Sequence, residues 1–134
     1  RIYTEMQALG LQPTAHDYDV VVHAAKRTGH LQEALQVWDA MQSHGVRIQG
    51  VYNPILSVCR QLQRWDLVVQ IWREMRTFGN RLNKTMYMFV IEGCVMVRDV
   101  DAAEEAWESM VSAGFPPERK YYRTFCALLR LLHD

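Results

Sequence analysis

The chain has 134 residues, enough to bury a substantial core. Hydrophobic residues make up 49% and charged residues 22%, the balance of a folded protein rather than a disordered one. The formal net charge is zero, which argues against a strong non-specific nucleic-acid or membrane binder, and no apolar run approaches the length of a membrane span.

A period of 34–35 residues sets the order of the predicted elements. Met6, Met41, Met75 and Met110 recur at intervals of 35, 34 and 35, and Gly10, Gly45, Gly79 and Gly114 keep the same phase. So do Tyr18, Tyr52, Tyr87 and Tyr122, and Trp38, Trp72 and Trp107. Repeats of this length are two-helix units that stack into a solenoid, because one unit cannot bury its apolar face alone. The expected fold is therefore an all-α solenoid of helix-turn-helix units. About three full repeats (15–49, 50–83 and 84–118) lie between a partial one (1–14) and a last first helix (119–134). The chain lacks an initiator Met and opens inside a repeat, the pattern expected of a piece of a longer protein.

In chain order, each unit opens on its Tyr and places apolar residues at +3, +4 and +7. These are Val21, Val22 and Ala25, then Ile55, Leu56 and Cys59, then Val90, Ile91 and Cys94, then Phe125, Cys126 and Leu129. That spacing predicts one face of a helix. A second helix centres on the Trp: Leu31, Ala34, Leu35, Trp38 and Met41; then Trp65, Val68, Val69, Trp72 and Met75; then Val100, Ala103, Trp107 and Met110. The Gly four residues after each Met ends that helix. Thr14 with Asp17 predicts a capping box, Asp99 an N-cap, and Pro54 a place in a first helical turn. Pro13, Pro116 and Pro117 stop helices from resuming. The linker from Gly to the next Tyr is one residue shorter after Gly45 than elsewhere.

Few residues point to chemistry. Cys59, Cys94 and Cys126 make an odd count without a CxxC pair, and each falls on an apolar stripe, so buried reduced thiols are expected. His16, His23, His30, His44 and His133 share no ligand spacing, and Asp99 to Glu108 read as a solvated helix face, so no metal or cofactor is expected. No nucleophile elbow, phosphate loop or Cys–His dyad is present, and no catalytic residue is assigned. Charge is uneven along the chain. Residues 50–83 set five Arg against Asp66 and Glu74, a balance of +3, whereas residues 84–118 balance at −5.

The run YDVVVHAAKRTGHLQEALQVWDAMQSHGVRI, from Tyr18 to Ile48, and its counterparts from Tyr52 and Tyr87 resemble pentatricopeptide repeats. Lys26, Arg27, Gly29, Leu31, Glu33, Ala34, Leu35, Trp38, Met41 and Gly45 carry the match. Tetratricopeptide repeats differ, since their Trp lies in the first helix.

The resemblance implies a right-handed α-solenoid whose first helices line a groove for single-stranded RNA, one base per repeat. It also implies a mitochondrial or plastid setting. It assigns base recognition to the residue after each Tyr and to the residue four after each Gly. In this chain these are Asp19 with Gln49, Asn53 with Asn83, Met88 with Glu118, and Arg123. Asn53 with Asn83 matches the family's pyrimidine-selecting pair, with cytosine favoured over uracil. The shortened linker makes Gln49 ambiguous with Ile48, and Met88 offers a base no useful hydrogen bond. Lys26, Arg27, Arg60 and Lys120 are expected to meet phosphates. Two alternatives stand beside RNA binding. One is a protein-interaction scaffold, such as a structural subunit of an organellar ribosome. The other is the repeat arm of an RNA-processing enzyme.

Overall fold

A computed structural model of the chain describes residues 13–115, together with Glu5, residues 8–10, Arg123, Cys126, Ala127 and Arg130. Expectations on Pro116, Pro117, Glu118, Lys120 and Tyr122 lie outside these residues. The chain forms two compact units, Arg1–Leu62 and Gln63–Asp134.

In the first unit, helix α1 (Ala15–Arg27) is followed by α2 (Leu31–Ser43), a 3₁₀ turn (Gln49–Val51) and α3 (Tyr52–Gln61). The predicted capping box starts α1. Asp17 N–H donates to Thr14 Oγ1 at 3.2 Å, and Thr14 N–H donates to Asp17 Oδ2 at 2.9 Å. These bonds hold the Asp17 carboxyl below its usual range. The stop of α2 follows from Gly45 at φ +66°, where Val46 N–H reaches back to the Met41 carbonyl at 2.9 Å. The predicted stripes meet inside the unit: Tyr18, Val22, Ala25, Leu35, Trp38, Met41, Tyr52, Ile55 and Leu56 are buried. Trp38 packs edge-on against Tyr52 with ring centroids 5.6 Å apart. Tyr18, Trp38 and Tyr52 are therefore core residues.

The second unit contains α4 (Trp65–Phe78), α5 (Lys84–Met96) and α6 (Val100–Ser112). Asn83 Oδ1 caps α5 by accepting from Met86 N–H at 2.8 Å, and Asp99 Oδ1 caps α6 from Ala102 N–H at 3.0 Å. Trp72 again stands edge-on to the next Tyr, here Tyr87, at 6.1 Å. Gly93 lets α5 approach α4 closely: a Cβ there would lie 2.6 Å from Val68 Cγ1.

Two expectations need correction. Trp107 and Cys126 are half-buried rather than core, while Cys59 and Cys94 are fully buried. Asp101, Glu104, Glu105 and Glu108 of α6 are exposed, as expected of a solvated face, and that face also pairs with α4. Asp99 Oδ2 accepts from Arg73 of α4 at 3.0 Å, and Glu105 pairs with Arg76 of the same helix. Two of the five Arg of residues 50–83, Arg73 and Arg76, are therefore paired with acids of residues 84–118 inside this unit.

The ends of the first helices reveal a local conflict. Gly29 follows α1 at φ +79°. The equivalent positions, Gln63 and Arg98, adopt φ +56° and +62° with side chains that disfavour that region.

Candidate nucleic-acid interface

Each first helix buries one stripe and leaves another outside, so the candidate site is read from the outer stripe. On α3 that stripe is Asn53, Ser57 and Arg60, at i, i+4 and i+7. Asn53 and Arg60 are exposed and Ser57 is half-buried. At 1.5 Å per residue, the carboxamide and guanidinium positions are separated by about 10 Å along the axis. That stripe can offer one base-sized hydrogen-bonding group near the helix start and one cation near its end. Sequence reasoning named Asn53 and Arg60 but not Ser57, whose i+4 spacing from Asn53 was the available signal.

On α1 the same stripe is Asp19, His23, Lys26 and Arg27. Lys26 is half-buried and Arg27 exposed in the last turn, where cations also complement the helix dipole. Asp19 is less available. Its Oδ1 is buried without a hydrogen-bond partner, although His23 Nε2 stands 3.2 Å away, an ion-pair distance that lacks hydrogen-bond geometry. A Cβ on Gly50 of the 3₁₀ turn would sit only 3.7 Å from that oxygen. The shortened linker thus folds over Asp19. In this turn Gln49 is exposed, and Ile48 is half-buried with an extended backbone.

On α5 the same positions are Met88, Glu92 and Val95, with Met96 next to the last. Met88 and Glu92 are half-buried, Met96 is exposed, and Val95 is buried. Val97 follows, 39% exposed, so the end of this helix is apolar where α1 and α3 carry cations. Asn83 is exposed, but its Oδ1 is committed to the helix cap, which leaves its amide N–H groups to meet a ligand. Thr14 occupies the same place relative to Gly10 and also caps a helix, so this position serves the backbone first. Arg123 is exposed, and Glu118 and Lys120 lie outside the described residues.

None of the thiols adds chemistry to these faces. Burial, reinforced by Asp99, pushes the Cys94 thiol up to about 12 against the pull of Arg73.

Comparison with known proteins adds a family. Residues 2–110 match a family model described as pentatricopeptide repeat-containing protein. The chain is similar to a chloroplastic pentatricopeptide repeat-containing protein of Arabidopsis thaliana, At2g18940, at 28% identity over 102 residues, which is 75% of this chain and 12% of that protein. It is also similar to At3g09650, chloroplastic, from the same plant, at 30% identity over 115 residues, or 84% of this chain and 15% of that protein. The chain spans at most 25% of the length of such relatives. In fold it is similar to the pentatricopeptide repeat protein PPR10 from maize, with a TM-score of 0.54 at 21% identity, covering 94% of this chain and 18% of that one. A similar likeness, TM-score 0.54 at 18% identity over 96% of this chain and 24% of that one, holds for PPR10 in complex with an 18-nt psaJ RNA element.

Proposed function

The chain belongs to the pentatricopeptide repeat family, and on that footing we propose that it is a single-stranded RNA-binding segment of an organelle gene-expression factor. The observation that carries this reading is the outer stripe of α3. There Asn53 and Arg60 are exposed on the same helix whose opposite stripe, Tyr52, Ile55, Leu56 and Cys59, is wholly buried. A similar fold in complex with an RNA element supports the ligand class. The chloroplastic names of several relatives support a plastid setting over a mitochondrial one. In this reading Asn53 meets a base edge, Asn83 contributes amide N–H donors, and a pyrimidine is the preferred base. Arg60, Lys26 and Arg27 meet phosphates, which would make binding depend on salt. Asp19 and Gln49, and Met88 with Glu118, read their bases weakly or not at all. No reacting group is required for this role, and the segment acts by binding alone.

A second reading has its own observation. The outer stripe of α5 is apolar and acidic, with Met88, Glu92 and Met96. That favours a protein subunit of a ribonucleoprotein complex at the third repeat, since Met-bearing faces adapt to apolar partners.

Titration of the chain against short single strands that differ at one position separates these readings. The RNA reading expects binding that weakens with salt, and a pyrimidine preference lost in Asn53→Ala. Wild-type protein that binds no strand even at low salt would leave the scaffold reading in its place.

A further inference from the structure

Three hydroxyls at the ends of these helices turn back on the backbone. Thr28 Oγ1 donates to the Ala24 carbonyl at 2.9 Å, Ser43 Oγ to that of Asp39 at 3.1 Å, and Thr77 Oγ1 to that of Arg73 at 2.9 Å. Ser57, in the middle of α3, makes no such bond among the described residues. Its Oγ instead accepts from Gln61 Nε2 at 3.3 Å, one turn further along the helix. A hydroxyl has one proton to give and two lone pairs that receive. With Gln61 on the oxygen, the Ser57 proton is left to point the other way along α3, toward Asn53, four residues back.

The repeat shows that this position reaches its target. The residue five after the Tyr is His23 in α1, Ser57 in α3 and Glu92 in α5. In α1, His23 Nε2 stands 3.2 Å from Oδ1 of Asp19, the residue directly after the Tyr. The same i, i+4 step separates Ser57 from Asn53. In both first helices of the first unit, a group able to donate thus accompanies an oxygen able to accept. In α5 that match is gone, since Met88 carries only a weakly accepting sulfur and the Glu92 carboxylate has no proton to give.

We propose that Ser57 is a positioning residue for base selection: its hydroxyl, oriented by Gln61, donates to Asn53 Oδ1 and turns the Asn53 amide N–H groups toward the base. This role rests on the RNA reading above. A carboxamide that nothing holds can present either its oxygen or its NH₂ group, because the two ends are nearly alike in shape. Held by its oxygen, it presents donors alone. The Watson–Crick edge of cytosine has an acceptor at N3, where that of uracil has an N–H. Donors at Asn53 therefore favour cytosine, and a carboxamide released from Ser57 can turn its oxygen to uracil. Ser57 touches no base in this arrangement and acts through Asn53.

Two measurements on the chain test it. In the free protein, the side-chain carbonyl carbon resonance of Asn53 reports whether its oxygen accepts a hydrogen bond. It should move upfield in Ser57→Ala, less so in Gln61→Ala, and stay near its wild-type place in Ser57→Thr, which keeps the hydroxyl. Titration with short RNA strands that carry cytosine or uracil at one scanned position then reads selection. Ser57→Ala should lower the ratio of cytosine to uracil affinity by about threefold or more, the contribution of one neutral hydrogen bond, and leave the salt dependence of binding unchanged. Ser57→Thr should restore the ratio. An Asn53 resonance that Ser57→Ala does not move would overturn the proposal whatever the chain binds, and so would a moved resonance with an unchanged ratio. A wild-type chain that binds neither strand at low salt would instead fell the RNA reading, and base selection with it, even where the resonance responds to Ser57.

Discussion

Helices α3 and α5 are the same element built twice with different outer faces. Both bury a Tyr and the residues three, four and seven places later: Ile55, Leu56 and Cys59 in one, Val90, Ile91 and Cys94 in the other. Their outer positions diverge, Asn53, Ser57 and exposed Arg60 against Met88, Glu92 and buried Val95, with Met96 exposed beside it. The buried stripe is under a packing constraint that every repeat shares, because an unfilled core position costs stability wherever it occurs. The outer stripe is under no such constraint and can be set by the ligand. Two helices with matching cores can therefore do different work.

The largest expected effect tests the shared half of that comparison. Trp38→Ala and Trp72→Ala each remove a buried ring that packs edge-on against the next Tyr. Each should cost about 3–5 kcal/mol in thermal or denaturant unfolding. Similar losses would support equivalent cores. A wild-type melt for either variant would show that the two cores are not built alike.

A smaller effect should separate the units. Gly93→Ala puts a methyl group 2.6 Å from Val68 Cγ1 and 2.9 Å from Val68 Cβ. Overpacking of this kind costs about 1–3 kcal/mol. Ala24, at the equivalent place in the first unit, already carries that methyl beside an open groove. Val68→Ala in the Gly93→Ala background should recover part of the loss. Additive losses in the double variant would mean that the contact is not the cause.

The divergent half is tested by binding. Asn53→Ala should cost about 1–3 kcal/mol for the preferred strand and flatten base preference, by analogy with other base-edge contacts. Arg60→Ala should weaken all strands alike and lower the salt slope by about 0.7. Met88→Ala should change neither. A loss in Met88→Ala equal to that in Asn53→Ala would erase the functional distinction between α3 and α5.

What the sequence made legible follows the same division. Helix existence, the buried stripes and the caps at Thr14 and Asp99 could be read because period, apolar spacing and cap chemistry all act locally. The family resemblance, now matched over residues 2–110, rests on that same periodic frame. The site was only partly legible. Asn53, singled out by its place after a Tyr, is exposed on α3. That Asn83 commits an oxygen to a cap, and that a 3₁₀ turn folds over Asp19, depend on backbone geometry that composition does not encode. The pairing of Arg73 and Arg76 with Asp99 and Glu105 was also hidden, because the partners lie 26 and 29 residues apart.

Backbone strain offers a finer comparison. Gln63 and Arg98 hold the left-handed conformation that Gly29 holds without penalty. Gln63→Gly and Arg98→Gly should each stabilise the protein by up to about 1 kcal/mol, through relief of the Cβ clash minus the added freedom of the unfolded chain. Destabilisation by either would mean that the native side chain makes contacts worth more than the strain.

The smallest effect distinguishes the starts of α1 and α5 by acid. Both helices are capped by a side-chain oxygen, but only α1 also relies on a carboxylate, Asp17, which accepts from Thr14 N–H. The two bonds with Thr14 hold the Asp17 carboxyl below the ordinary carboxylate range. A carboxyl lowered in the folded state stabilises it above the unfolded value and loses that contribution as pH falls through the folded one. The start of α1 should therefore loosen below about pH 4, while the Asn83 cap, which does not titrate, should hold. Because both capping bonds are solvent-exposed, the change should be local rather than a global unfolding. Amide exchange or chemical shifts of residues 14–18 and 83–87, followed from pH 6 to pH 3, would read it. Asp17→Asn should remove the pH dependence at α1 by replacing the carboxylate with a group that does not titrate. Equal loosening at both helix starts in the wild type would mean that acid acts through something other than the capping box.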